Sequence, residues 1–194
     1  MQTMASHKTS RFQLPPDSNL QRLQRISRLL AWACWVLIIA LPPLFAWFWA
    51  VASPAQLAMR ISLPGDVVQG PLMLWQRVAG GCISAVPLVL LLLGLWHARK
   101  CFVLCAMGQV FNRHSVSALQ SFAALATASF ASSVVAETVL SGVLTLGNAP
   151  GARLLTVGLS TDQAFALFFA GVVWLMAAVM AQGLSLAAEN AEFV

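Results

Sequence analysis

Four long apolar stretches, nearly free of charge, constrain this chain more than anything else in it. A helix needs about 20 apolar residues, rising 1.5 Å each, to cross a hydrocarbon core of roughly 30 Å. Leu29 to Ala52 meets that length without a charge, and so do Val78 to Trp96 and Ala164 to Leu186. Leu119 to Leu144 meets it with one charge, Glu137, in a background of Ala, Ser, Val and Leu. Backbone groups in lipid must be satisfied internally, so these stretches predict helices. The expected architecture is an all-α integral membrane protein, a small bundle of four transmembrane helices.

Composition bears on which classes this excludes. A soluble chain of 194 residues, at about 25% charged, would carry roughly 48 charges, whereas this one has 11 basic and 6 acidic residues and a mean hydropathy of +0.80. Too few ions remain to solvate a globular surface, a disordered chain or a nucleic-acid-binding domain. The segment Ala50-Val51-Ala52 before Ser53 has small-x-small spacing. A signal peptide, however, has an h-region of about 7–15 residues behind a short basic region. Residues 1–28 precede a longer apolar run here, so an uncleaved anchor is expected.

Orientation follows from basic residues in the short loops. Lys8, Arg11, Arg22, Arg25 and Arg28 in residues 1–28, with Arg99, Lys100 and Arg113 in residues 97–118, put eight on one side. Arg60 and Arg77 in the 53–77 loop and Arg153 in the 145–163 loop put three on the other. Both termini, the 1–28 tail and the 187–194 tail, are expected to be cytoplasmic. Trp32, Trp35, Trp47, Trp49, Trp75 and Trp96 fall near span ends, where an indole finds both apolar and polar surroundings. Trp174 lies mid-span, where packing against a neighbour is expected. The net charge of +5 is the ordinary basic inner face, with anionic headgroups as counterion and no direct nucleic-acid contact required.

Leu20, Leu23 and Ile26 alternate with Arg22, Arg25 and Arg28, which describes an amphipathic helix entering span one. Pro54, Pro64-Gly65, Gly70 and Pro71 break the 53–77 loop into expected short turns or strands. Pro42-Pro43 and Pro87 remove hydrogen bonds within spans one and two and predict kinks. The 97–118 connector is expected to continue helix two, stop near Gly108, and restart with Asn112 or Ser115 as N-cap.

The stretch Gly108-Gln109-Val110-Phe111-Asn112, followed by a polar restart and a third span, resembles a bacterial membrane family catalogued as domain of unknown function 2975. The ending Leu186-Ala187-Ala188-Glu189-Asn190-Ala191-Glu192-Phe193-Val194 is similar to that family's ending. The resemblance covers most of the chain after residue 29. It implies a small four-helix inner-membrane protein with no assigned activity. Some members resemble proteins encoded beside small helix-turn-helix regulators, which implies a cytoplasmic regulatory partner.

Three residue groups could carry chemistry. Glu137 costs about 3 kcal/mol to insert and is a functional candidate for that reason. With Ser129, Ser133 and Ser141 it follows an i, i+4 row that Ser121 extends, beside Ala124, Ala128, Ser132 and Ala136. One reading is a proton or cation path in a small, oligomeric permeation unit. The other is close helix packing, with Glu137 protonated or bonded to Arg77 or Arg153. His97, Cys101 and Cys105 share a helix face, and His114 lies beyond the break. That spacing admits a soft metal but matches no recognised finger, so ordinary interfacial residues are expected, with no metal, cofactor or disulfide. Finally, Glu189 and Glu192 emerge beside Arg99, Lys100 and Arg113. Their pairing, with Asn190 capping the helix end and Gly108, Phe111 and Asn112 in the loop, would form one cytoplasmic docking surface. No phosphate-binding loop, zincin motif or nucleophile elbow occurs, and three His and six acids leave little from which to build an active site. A non-enzymatic role follows.

Overall fold

The computed structural model of the chain describes residues 18–60, 73–108, 112–146 and 161–192. They form five helices: α1 (Ser18–Val51), α2 (Pro54–Arg60), α3 (Leu74–Ala106), α4 (Arg113–Thr145) and α5 (Thr161–Glu192). Four of them are long and apolar enough to cross a membrane. This is the architecture of a multi-pass membrane protein. At 32 to 34 residues each, the four long helices span about 50 Å, against a hydrocarbon core of roughly 30 Å. They therefore overhang the apolar layer. The basic run Arg22, Arg25 and Arg28 is the first part of α1 itself, continuous with its apolar span.

The bundle is open. α3 packs on α1 and on α4, and α4 packs on α5, so the spanning helices stand side by side in chain order. Composition explains which helices lie inside the row. α4 is the least apolar of the four and the most buried, and α1 is the least buried. Its Ala and Ser residues let two neighbours approach closely. α5 buries Gln163, Ala170 and Ala177, a seven-residue repeat that gives a narrow seam against one partner. Its Phe165, Phe168, Phe169, Leu175 and Met176 face outward. Trp174 is also exposed, so the expected packing against a neighbouring helix of this chain does not occur.

At the end of the row where α1 finishes, α2 folds back as a helix where turns or strands were expected. Pro54 is a helix breaker in an interior but is preorganised for a first turn. Ser53 and Gln56 complete that start as a capping box. The Ser53 amide donates to Gln56 Oε1 at 2.9 Å and the Gln56 amide to Ser53 Oγ at 3.3 Å. Leu57 and Ala58, fully buried, then join Trp49, Ala52, Leu140 and Leu144 in the main core cluster. Trp49 is thus a core residue and not an interfacial anchor. Its indole lies directly over Gly80 of α3, where an added Cβ would stand 2.5 Å from Cη2.

At the opposite end, α3 stops at Gly108, whose φ of +81° suits a residue without Cβ. The Met107 amide donates to Val103 O and Leu104 O, and the Gly108 amide to Cys105 O. Asn112 restarts the chain as N-cap of α4, its side chain accepting from the His114 amide at 3.2 Å. α3 runs unbroken through Pro87, and α1 through Pro42 and Pro43.

Candidate functional site

Two polar regions emerge from this packing, one within the span of α4 and one at the basic end of the row. In α4 the hydroxyl groups are held by backbone carbonyls, as expected where no water competes. Ser132 Oγ donates to Ser129 O at 2.8 Å, Ser133 Oγ to Phe130 O at 2.8 Å, and Ser141 Oγ to Thr138 O at 2.7 Å. Thr127, Thr138 and Thr145 do the same one turn back. Ser129 is the exception. It is buried, and its Oγ crosses to Pro87 O of α3 at 2.7 Å.

Glu137 is half-buried on the same helix, one turn from Ser133 and one from Ser141. Gln163, near the start of α5, donates through Nε2 to Ser133 Oγ at 3.5 Å. The amide of α5 therefore reaches a serine one helical turn from Glu137, well inside the length of α4. Arg77, one of the two arginines expected to meet Glu137, is engaged elsewhere. Its Nη1 donates to Trp49 O and Ala50 O, each at 3.1 Å, at the negative end of the α1 dipole. Arg153, the other, lies outside the described residues.

Gln76 and Gln163 were not singled out by sequence. Gln76 is buried, accepts from the Met73 amide at 2.9 Å and donates to Val143 O of α4 at 3.2 Å. Its position as third residue of a helix was the available signal. Its role across helices depends on register and left none.

The basic end gathers the start of α1, the end of α3 and the start of α4. Arg22, Arg25, Arg28, Lys100, Arg113 and His114 are exposed there. Arg99, expected among them, instead turns against aromatic rings. Its guanidinium carbon lies 5.2 Å from the Trp35 ring centre and 6.0 Å from that of Trp96. The two indoles meet edge to face at 6.1 Å and bridge α1 to α3. Phe111 lies outside the described residues, as do the side chains of Glu189, Asn190 and Glu192, whose backbone ends α5.

His97 Nδ1 lies 2.9 Å from Leu93 O, while Cys101 is buried and Cys105 half-buried. Among the described residues, no three His, Cys, Asp or Glu come together in a way that could hold a metal ion. Cys34, Cys82, Cys101 and Cys105 are all free thiols.

Comparison with known proteins bears on these features. Neither curated proteins nor solved structures give a match. Residues 66–194 match the family described as "Protein of unknown function (DUF2975)", a stretch that takes in α3, α4, α5 and the connectors between them. With that share of its length covered, the chain belongs to the DUF2975 family.

Proposed function

We propose that this is a non-enzymatic protein of the bacterial inner membrane, with both termini in the cytoplasm, that presents its basic end to a cytoplasmic regulatory partner. The overhang of the long helices carries the reading. It projects Arg22, Arg25 and Arg28 of α1, Lys100 of α3 and Arg113 of α4 from one end of the row. Outside the apolar layer such a surface suits an acidic protein face, since complementary charge steers association. Alkaline phosphatase fused after residue 146 should be active, and green fluorescent protein fused after residue 192 should fluoresce. The reverse pattern refutes the orientation. Proximity labelling from the C-terminus should mark the same cytosolic protein in independent cultures. The charge reversal Arg22→Glu with Arg113→Glu should lose it while inserting normally. Labelling that is indifferent to these charges refutes docking.

A second reading rests on the half-buried Glu137, one turn from the Ser133 that Gln163 meets. It makes the protein a proton- or cation-linked permeation unit. An open row encloses no lumen, so such a unit would be a homo-oligomer. Ion flux into proteoliposomes that is unchanged by Glu137→Gln removes this reading.

A further inference from the structure

Between α1 and α3, at the basic end, lies an open groove of about 720 Å³. Pockets for small ligands occupy roughly 300–1,000 Å³, so the volume suits one bound molecule. Its wall is built from Trp32, Val36 and Ile39 of α1 and Val103 of α3, all apolar. Arg28 and Arg99 add positive charge to it. The groove thus has a cationic part near the membrane surface and an apolar floor running deeper, the polarity of a single amphiphile.

No described side chain balances the charge in it. Among the described side chains the one acid is Glu137, on α4, and it does not line the groove. Arg99 Nε is buried and has no hydrogen-bond partner. The Trp35 and Trp96 rings lie 5.2 and 6.0 Å from the guanidinium carbon and offer it no carboxylate or carbonyl, so its N–H groups are left to meet an oxyanion. A planar guanidinium suits phosphate oxygens because its N–H groups form a fixed fork.

We propose that this groove is a specific site for one anionic phospholipid. The headgroup phosphate would lie between Arg28 and Arg99, and an acyl chain along Val36, Ile39 and Val103. This differs from diffuse attraction of a basic face to a charged membrane, because it predicts a stoichiometric lipid that depends on two particular arginines. It is independent of any cytoplasmic partner.

The test is native mass spectrometry of the full chain, released from detergent with equimolar phosphatidylglycerol and phosphatidylcholine. One phosphatidylglycerol should be retained in preference, with each arginine contributing about fivefold, the effect of one basic group at an anionic surface. Arg28→Gln, at an exposed position, should cut the preference about fivefold without disturbing the fold. Arg28→Gln combined with Arg99→Gln should abolish it. Arg113→Gln, outside the groove, should leave it unchanged. Equal retention of the two lipids by the wild type overturns the proposal. So does an equal loss from Arg113→Gln, which would indicate diffuse attraction. Inorganic phosphate that displaces the signal completely would mean an anion site without a lipid tail. A dimer that carries no lipid would mean that a second copy covers the groove.

Discussion

Replacing Gly80 with alanine should destabilise the protein, while the same change at the adjacent Gly81 should not. At Gly80 the new Cβ would stand 2.5 and 2.6 Å from Cη2 and Cζ3 of Trp49 and 2.9 Å from Cδ1 of Leu140. Carbon atoms in contact sit about 3.5–4.0 Å apart, so the overlap approaches 1 Å. The indole has little room to retreat. It is 7% exposed, lies 6.4 Å from the Phe45 ring and shares its cluster with Leu57 and Leu144. Overpacking of this kind costs about 1–3 kcal/mol. The better helix propensity of alanine returns up to about 1 kcal/mol. With an overlap near 1 Å the cost lies at the upper end of its range, and a net loss of up to about 2 kcal/mol remains. At Gly81 the nearest atoms are Trp49 Cγ and Cδ2 at 3.7 and 3.8 Å, ordinary contact, so only the propensity gain applies. Unfolding of the full chain in mixed micelles by dodecyl sulfate, followed by circular dichroism, reads both values. Adding Trp49→Phe to Gly80→Ala removes the two clashing ring carbons and should recover part of the loss, with a coupling of about 0.5–3 kcal/mol. If Gly80→Ala matches or exceeds wild-type stability, or moves with Gly81→Ala in the same direction, the packing argument fails.

The same unfolding assay checks three further expectations. Gln76→Leu loses a bond to the Met73 amide and one to Val143 O, and should cost about 1–3 kcal/mol because both ends are left unpaired. Ser129→Ala loses the bond across to Pro87 O, and should cost about 0.5–1.5 kcal/mol. Ser132→Ala, whose hydroxyl bonds only within its own helix, should cost less. Gly108→Ala forces a Cβ onto a φ of +81°, a penalty of about 1–2 kcal/mol. Gly108→Asn should be milder, since asparagine tolerates that conformation.

The spans were legible because length and missing charge survive without tertiary knowledge. The Gly108 stop and the Asn112 cap were legible because each acts on its own few residues. α2 was not, since Pro54 reads as a breaker until Ser53 and Gln56 are recognised as the box that makes it a first helical residue. Trp49 and Trp47 look alike in sequence, yet one is buried and the other exposed. Lipid and protein are both apolar, so sequence hydrophobicity does not say which neighbour a tryptophan meets. The α4 stripe was visible as spacing. That Ser129 bonds Pro87 and Ser133 meets Gln163 depends on how far adjacent helices are shifted along one another. Arg99 was grouped with the docking arginines because charge alone is visible, while the stacking indoles come from two different helices.

The order of the row carries a consequence for how the protein is made. Each spanning helix packs on the one inserted just before it: α3 on α1, α4 on α3, α5 on α4. No late spanning helix must thread between earlier ones. Contacts of this kind are close in sequence, the condition under which chains assemble fastest. Assembly can therefore keep pace with insertion, one hairpin at a time. All the residues of the Trp49–Gly80 core and of the α1–α3 groove precede Leu146. The seam of Gln163, Ala170 and Ala177 follows with α5.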